Sequence, residues 1–186
     1  MYDIKQIKLD LKNILSDYRY QHSLMVANEA KKLANYYKID SNKAYVAGLL
    51  HDIAKEFSEE ENEKYIKKYN IDSKYTSIDL RAAIHSYIGA YYAYEKYNID
   101  LDIMHSIMYH TLGSPNMNNF DKIILISDKL GRNNKDYELE KLAYDNLDKA
   151  IIYIFEKQKN KLKEKGKDLH EDSLMLLNKL DDKKVN

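Results

Sequence analysis

Apolar residues recur every three or four positions along most of the chain, the spacing of helices that bury one face. Leu24, Ala27, Ala30, Leu33 and Ala34 predict a helix over about residues 18–37, and Val46, Leu49, Leu50 and Ile53 mark the next. Ser58 followed by Glu61 has the S-x-x-E spacing of a capping box and starts a short helix. Ala83, Ala90, Tyr91 and Tyr94 predict another, Ile103, Ile107 and Met108 one more, and Phe120 to Leu130 a further segment through Ile123, Ile124 and Ile126. The longest pattern runs over residues 137–164, through Leu139, Leu142, Ala143, Leu147, Ala150, Ile151, Ile154 and Phe155, with Gly166 as its stop.

Three similar marks punctuate this pattern: YYKIDSNKA at 36–44, KKYNIDSKY at 67–75 and EKYNIDLDI at 95–103. Each reads as a helix end, a buried Ile and then an Asp that caps the next helix. Their unequal separations indicate shared turn chemistry and not a solenoid repeat. The stretch TLGSPNMNN at 111–119 holds the sole proline and is a candidate rim for a site. No linker composition appears. The expectation is an all-α, compact single-domain helical bundle over residues 1–186, with a core at about 15–176 and a frayed tail at 182–186.

Composition narrows the function classes. One Pro and five Gly in 186 residues argue against sandwiches, barrels and Rossmann-type sheets. Thirty basic and thirty acidic residues cancel, which argues against a strongly basic nucleic-acid binder. The absence of cysteine excludes disulfides, thiolate metal sites and thiol catalysis. No apolar run approaches the ~20 residues of a membrane span. The first residues, MYDIKQIKLDLKNIL, do not read as a signal peptide, so the expected setting is soluble and cytoplasmic. The 18 tyrosines reflect compositional habit. A tyrosine-rich face at Tyr87, Tyr91, Tyr92 and Tyr94 is either a homodimer surface or core. The basic run KQKNKLKEKGK at 157–167 reads first as a solvated helix end and second as a patch that attracts polyphosphate.

The histidines carry the chemistry. His51 and Asp52 stand side by side in the apolar segment AGLLHDIAK, where both are expensive to bury unpaired. A salt bridge from Asp52 to Lys55 is one remedy. A divalent ion is the other, since imidazole and carboxylate donors suit Fe, Mn, Co or Zn. Further donors stand in other apolar segments: His22 in RYQHSLMVA, His85 in RAAIHSYIGA, His110 at the end of an Ile/Met-rich helix, and Asp128 in IILISDKLG. Asp128 near a helix C-terminus opposes the helix dipole, which favours a compensating cation. His105 lies about 140° around the helix from His110, so the two do not share a site, and His105 is read as a surface residue.

The order His22…His51-Asp52…Asp128 resembles the HD superfamily of metal-dependent phosphohydrolases. The segments RYQHSLMVA, AGLLHDIAK, IHSYIGA, MYHTLGSPNM and GKDLHEDS are similar to the bacterial YqeK family within it, which comprises symmetrical bis(5'-nucleosyl)-tetraphosphatases that cleave diadenosine tetraphosphate into two ADP. The resemblance implies that His22, His51, Asp52 and Asp128 bind the principal metal, iron or another divalent ion. It implies that His85 and His110 line the phosphate pocket or ligate a second metal bridged by Asp52. Arg19 and Lys55 fall where the family contacts phosphate, and the segment around His170 matches a motif that approaches the nucleotide. Where family members carry an I-E-P-x-R-like stretch after the metal Asp, this chain has KLGRNNKDY, so Arg132 or Lys135 takes that place.

The expected reaction is attack of metal-activated water on a phosphorus of a polyphosphate. Asp52 orients the water, His85 or His110 acts as general acid, and Arg19 and Lys55 stabilise the spreading charge. The runner-up is an HD-type phosphohydrolase acting on a nucleotide monophosphate or an alarmone. A di-iron oxygen or redox sensor is disfavoured, because no histidine has Glu three residues earlier.

Overall fold

A computed structural model describes residues 2–76, 81–132 and 134–182, without the side chains of 81, 82 and 182. Among the described residues the regular structure is helical throughout: α1 (Ile4–Ile14), α2 (Asp17–Tyr36), α3 (Ser41–Leu50), α4 (Glu59–Tyr69), a 3-10 turn (Ser73–Tyr75), α5 (Arg81–Tyr97), α6 (Leu101–Tyr109), α7 (Asn119–Leu130), α8 (Tyr137–Asp145), α9 (Leu147–Lys163) and α10 (Glu171–Asp182). The tail beyond 182, expected to fray, lies outside the described residues.

Short polar side chains start most of these helices. Asp3, Ser16, Asp40, Ser58, Asp100, Asn118, Asp136 and Asn146 each accept a first-turn N–H. The capping box at Ser58 and Glu61 is formed, and Asn118 and Asp121 make a second one. The three K/N-I-D marks share one geometry. Lys38, Asn70 and Asn98 adopt positive φ of 56°, 46° and 49°, a left-handed step that ends one helix before Asp40, Asp72 or Asp100 caps the next. Of the three isoleucines, Ile99 is buried, whereas Ile39 and Ile71 are half-buried.

The 137–164 periodicity holds two helices, not one. Asn146, with φ −161°, closes α8 and caps α9 with its side chain. The 111–119 stretch is partly interior: Leu112, Ser114 and Met117 are buried, whereas Asn116, Asn118 and Asn119 are exposed. Helix α10 straps it, with Ser173 Oγ donating to the Leu112 carbonyl at 2.6 Å and Lys179 Nζ to that of Pro115 at 2.6 Å.

The main core lies where α2, α3, α6, α7 and α9 meet, around Val26, Leu33, Leu49, Ile107, Ile123, Ile151 and Phe155. A smaller cluster joins Ala54, Ile84, Tyr87, Ile88 and Leu112. In the tyrosine-rich face, Tyr87 is buried, Tyr91 and Tyr92 are half-buried, and Tyr94 is exposed. Most of that face is therefore core. No helix among the described residues is long and apolar enough to cross a membrane.

Two glycines set how closely the site-bearing helices approach. A Cβ on Gly48 would stand 2.6 Å from Ala27 Cα, and one on Gly131 would stand 2.6 Å from Val26 Cγ2. Gly48→Ala gains helix propensity but forces α3 from α2. We predict a net loss of about 1–3 kcal/mol in urea unfolding; an unchanged or higher midpoint would contradict this packing.

Asp121 makes a pH-dependent contribution. Its Oδ2 accepts the Asn118 N–H at 2.9 Å, while Oδ1 is buried without a partner. Burial pushes the carboxyl up to about 6, against the pull of the Asn118 N–H. A folded-state value above the ordinary one of about 3.9 gives stability that is complete below that value and lost as pH rises through about 6. Asp121→Asn keeps the cap and removes the buried charge. It is expected to add about 1–3 kcal/mol near pH 8 and nothing near pH 4, as read by denaturant titration at both pH values.

Candidate active site

The ends of α3, α6 and α7 meet the first turns of α2 and α5, and each contributes one or two polar side chains to a buried centre. Helix α3 stops at Leu50, so His51 and Asp52 stand in a turn and not in a helix continuing through Ile53. The His51 ring favours that stop, because Nδ1 donates to the Gly48 carbonyl at 2.8 Å. His22 Nδ1 faces the Gly131 carbonyl at 3.1 Å, and His110 Nδ1 that of Ile107 at 2.7 Å. A carbonyl only accepts, so in all three rings Nδ1 is the N–H donor and Nε2 is the atom that points inward.

Those Nε2 atoms meet carboxylate oxygens, which are also acceptors. His22 Nε2 lies 3.0 Å from Asp128 Oδ1 and 4.0 Å from Asp52 Oδ2. His51 Nε2 lies 3.6 Å from both of those oxygens and has no hydrogen-bond partner. The other Asp52 oxygen, Oδ1, faces His85 Nε2 at 3.0 Å and His110 Nε2 at 3.7 Å. Two sets, His22 with His51 and Asp52, and Asp52 with His85 and His110, hold donor atoms within 4.8 Å of one another. An orphaned imidazole nitrogen amid buried acceptors fits a cation shared by nitrogen and oxygen donors.

The electrostatics point the same way. Burial pushes the Asp52 carboxyl up, but His51, His110 and His85 outweigh it and hold the group well below the usual carboxylate range. Asp128 is held low against burial by Lys129, His22 and His51. His51 is pushed up, because Asp52 and Asp128 outweigh its burial. A proton on His51 and a metal ion answer the same demand for positive charge. Burial pushes His85 down to about 4 despite Asp52.

Cations surround this centre. Arg19 Nη1 pairs with Asp52 Oδ2 at 3.0 Å, Lys129 Nζ with Asp128 Oδ2 at 2.6 Å, and Arg132 Nη2 approaches the same oxygen at 3.6 Å. Lys55 Nζ lies 3.1 Å from His85 Nδ1, and burial lowers its pKa. The same Nζ lies 3.2 Å from His85 Nε2, so His85 sits against a lysine and lacks the carbonyl contact at Nδ1 that orients the other three rings.

The centre opens into a cleft of about 1030 Å³. Arg19, His22, Asp52, Lys55, His85, His110 and Asp128 line it, together with Arg132. Lys135 is exposed and stands outside the lining, so of the two alternatives after Asp128 it is Arg132 that reaches the cleft. His170 also stands apart: its Nδ1 accepts the Asp172 N–H at 3.2 Å, and its ring lies 5.6 Å from that of Tyr75. Of the 111–119 stretch, Thr111 alone lines the cleft. Tyr18, Lys129, Tyr153, Gln158 and Lys161 line it as well. Lys129 had a usable signal, its adjacency to Asp128; Gln158 and Lys161 had only their place in a basic run, and Tyr153 had none.

An all-helical scaffold that buries His, His-Asp and Asp from separate helices around one point, with basic residues at the mouth, defines a class of metal-dependent hydrolases. The HD domain family matches residues 19–150, and the chain belongs to that family. It is 31% identical over 170 residues to a symmetrical bis(5'-nucleosyl)-tetraphosphatase of Halalkalibacterium halodurans, covering 89% of this chain and 90% of that protein. A Bacillus subtilis protein of the same name is 30% identical, with 90% and 92% covered. A probable nicotinate-nucleotide adenylyltransferase/Ap4A hydrolase of Mycoplasma genitalium is 31% identical, and the chain spans 46% of its length. The crystal structure of a predicted HD superfamily hydrolase involved in NAD metabolism from Clostridium acetobutylicum superposes with a TM-score of 0.90 at 31% identity, covering 98% of this chain and 99% of that one.

The donor set predicts a metal-linked stability. Manganese or iron added to chelator-stripped protein at about 100 times its dissociation constant is worth about 2.7 kcal/mol, a rise of roughly 5–10 °C in Tm for a chain this long. His51→Ala abolishes the rise in a thermal-shift assay; an equal rise in that variant would contradict the assignment.

Proposed function

We propose that this chain hydrolyses dinucleoside polyphosphates, and in particular that it cleaves diadenosine tetraphosphate symmetrically into two ADP. The observation that carries the reading is Asp52, whose two oxygens face two imidazole sets at the floor of a cleft with a basic mouth. The names of the Halalkalibacterium and Bacillus relatives supply the substrate class.

His22, His51, Asp52 and Asp128 would hold a divalent ion; iron is the ion the family resemblance implies, and Mn, Co and Zn share its donor preferences. When bound, the ion supplies charge neutralisation at phosphoryl oxygen and acidifies water. His110, with its carbonyl-anchored Nδ1, has the geometry of a further ligand, and Asp52 would then bridge two ions. Arg19 and Lys55 pair with the phosphates, and Arg132 adds charge at the mouth.

Asp52 orients the attacking water towards one of the two central phosphorus atoms. The new bond runs from the water oxygen to that phosphorus, the bond from the same phosphorus to the central bridging oxygen breaks, and the proton shed by the water passes to solvent in the open cleft. The bridging oxygen leaves on the second ADP. His85 serves that oxygen as proton donor, and the charge of an arriving polyphosphate favours its protonated ring.

A second reading is hydrolysis of a nucleotide monophosphate or an alarmone, and the Clostridium title, which speaks of NAD metabolism, makes a wider nucleotide panel worthwhile. The metal-loaded chain is expected to release ADP as the nucleotide product from diadenosine tetraphosphate, read by chromatography. Asp52→Ala should lower kcat by about 10³-fold or more with helix content kept. Full activity in that variant would sink the mechanism, and faster turnover of a monophosphate would favour the second reading.

A further inference from the structure

Helix α9 gives no donor to the metal centre, yet one face of it walls the same cleft. Tyr153, Ile154, Lys157, Gln158 and Lys161 line it. Their spacing of i, i+1, i+4, i+5 and i+8 is a single stripe, about 12 Å long. All six lysines of the 157–167 run are exposed, and Lys157 and Lys161 are the two that line the cleft.

The two lysines differ in what occupies them. Lys157 Nζ is held by Asp136 Oδ2 at 2.7 Å and by the Tyr153 hydroxyl at 3.2 Å. Asp136 also caps α8 and accepts from Tyr153. That triad is structural: it fastens α9 to the start of α8. Beyond it, Gln158 is half-buried with no side-chain hydrogen bond and Lys161 makes no ion pair, both among the described residues. An amide and an ammonium four ångströms or so apart along the helix axis, about 1.5 Å of rise per residue, thus face the cleft with their bonding capacity unspent. The volume of about 1030 Å³ lies at the top of the range of roughly 300–1,000 Å³ for pockets that enclose a single drug-sized molecule. A second nucleotide has room.

We propose that the Gln158–Lys161 face of α9 seats the half of the dinucleotide remote from the metal centre, with Lys161 on a distal phosphate and Gln158 on a ribose hydroxyl or base edge. This rests on the reading given under Proposed function and extends it from the reacting phosphates to the choice of substrate. The subsite favours substrates with a nucleotide on both sides of the cleaved bond over mononucleotides.

The test is a pair of variants: Gln158→Ala/Lys161→Ala, and Lys159→Ala as a control for charge lost from the same helix. Lys159 is exposed, pairs loosely with Glu156 at 3.9 Å and is not part of the cleft lining. The double variant is expected to raise KM for diadenosine tetraphosphate about tenfold over the control, with kcat within about twofold, a loss of about 1.4 kcal/mol in binding. The inhibition constant of ADP, which one half of the site can hold, stays within about twofold. A KM no higher than that of Lys159→Ala, or an equal weakening of ADP, overturns the subsite. If the unaltered metal-loaded chain releases no ADP, the proposed reaction fails. Calorimetric affinity for the same dinucleotide then decides the subsite: a tenfold weaker double variant supports it, and equal affinities overturn it.

Discussion

Two carboxylates, Asp52 and Asp128, carry negative charge where water scarcely reaches, at 3% and 6% exposure. Neither is neutralised by taking a proton, since neighbouring imidazoles and Lys129 hold both below the usual carboxylate range. Buried charge of one sign is tolerated only when opposite charge is supplied at the same point. Arg19, Lys129 and Arg132 supply part of it from the cleft side. On the inner side stand imidazole Nε2 atoms, whose Nδ1 protons go to backbone carbonyls and which need a proton or a cation of their own beside these carboxylates. That leaves a position rich in lone pairs and poor in positive charge, and the rest of the structure is arranged to keep it so.

The arrangement depends on backbone as much as on side chains. The carbonyls of Gly48 and Gly131 orient His51 and His22, and the same two glycines let α3 and the end of α7 approach α2 at distances a methyl group would block. Orientation of the ligand rings and close packing of the helices are thus one constraint. A change that parts the helices also turns the rings, so stability and metal affinity are expected to fall together at these glycines. Removing the Asp136–Lys157 pair would instead loosen α9 against α8 and leave the centre's own anchors in place.

The candidate site was largely visible before the structure, because buried polar residues in apolar segments are costly and therefore informative. His22, His51, Asp52, His85, His110 and Asp128 each stand out this way, and the fold brings all six to one point. Surface cations gave no such signal. Lys135 and Arg132 are three residues apart in a polar stretch, and only the path of the chain after Gly131 decides which one reaches the cleft. His170 carried a family resemblance but no local cost, and it packs beside Tyr75. Among the helices, the break at Asn146 was hidden because Leu142, Ala143, Leu147 and Ala150 keep a helical spacing across it. Asn146 both ends and caps, so the apolar rhythm never falters. Helix α1 has Ile7 and Leu11 buried at the same spacing, too few positions in a charge-rich run to mark a helix.

These features make the chemistry a matter of placing charge. The protein holds acceptors together against their repulsion, surrounds them with cations that match phosphate, and leaves a long cleft in which a polyphosphate completes the balance. Anomalous diffraction from crystals of the metal-loaded chain tests this most directly. The account predicts a peak about 2.0–2.3 Å from His22 Nε2, His51 Nε2 and an oxygen of each of Asp52 and Asp128. A fully loaded protein whose metal lies elsewhere, with His51 Nε2 bound to no ion, would contradict it.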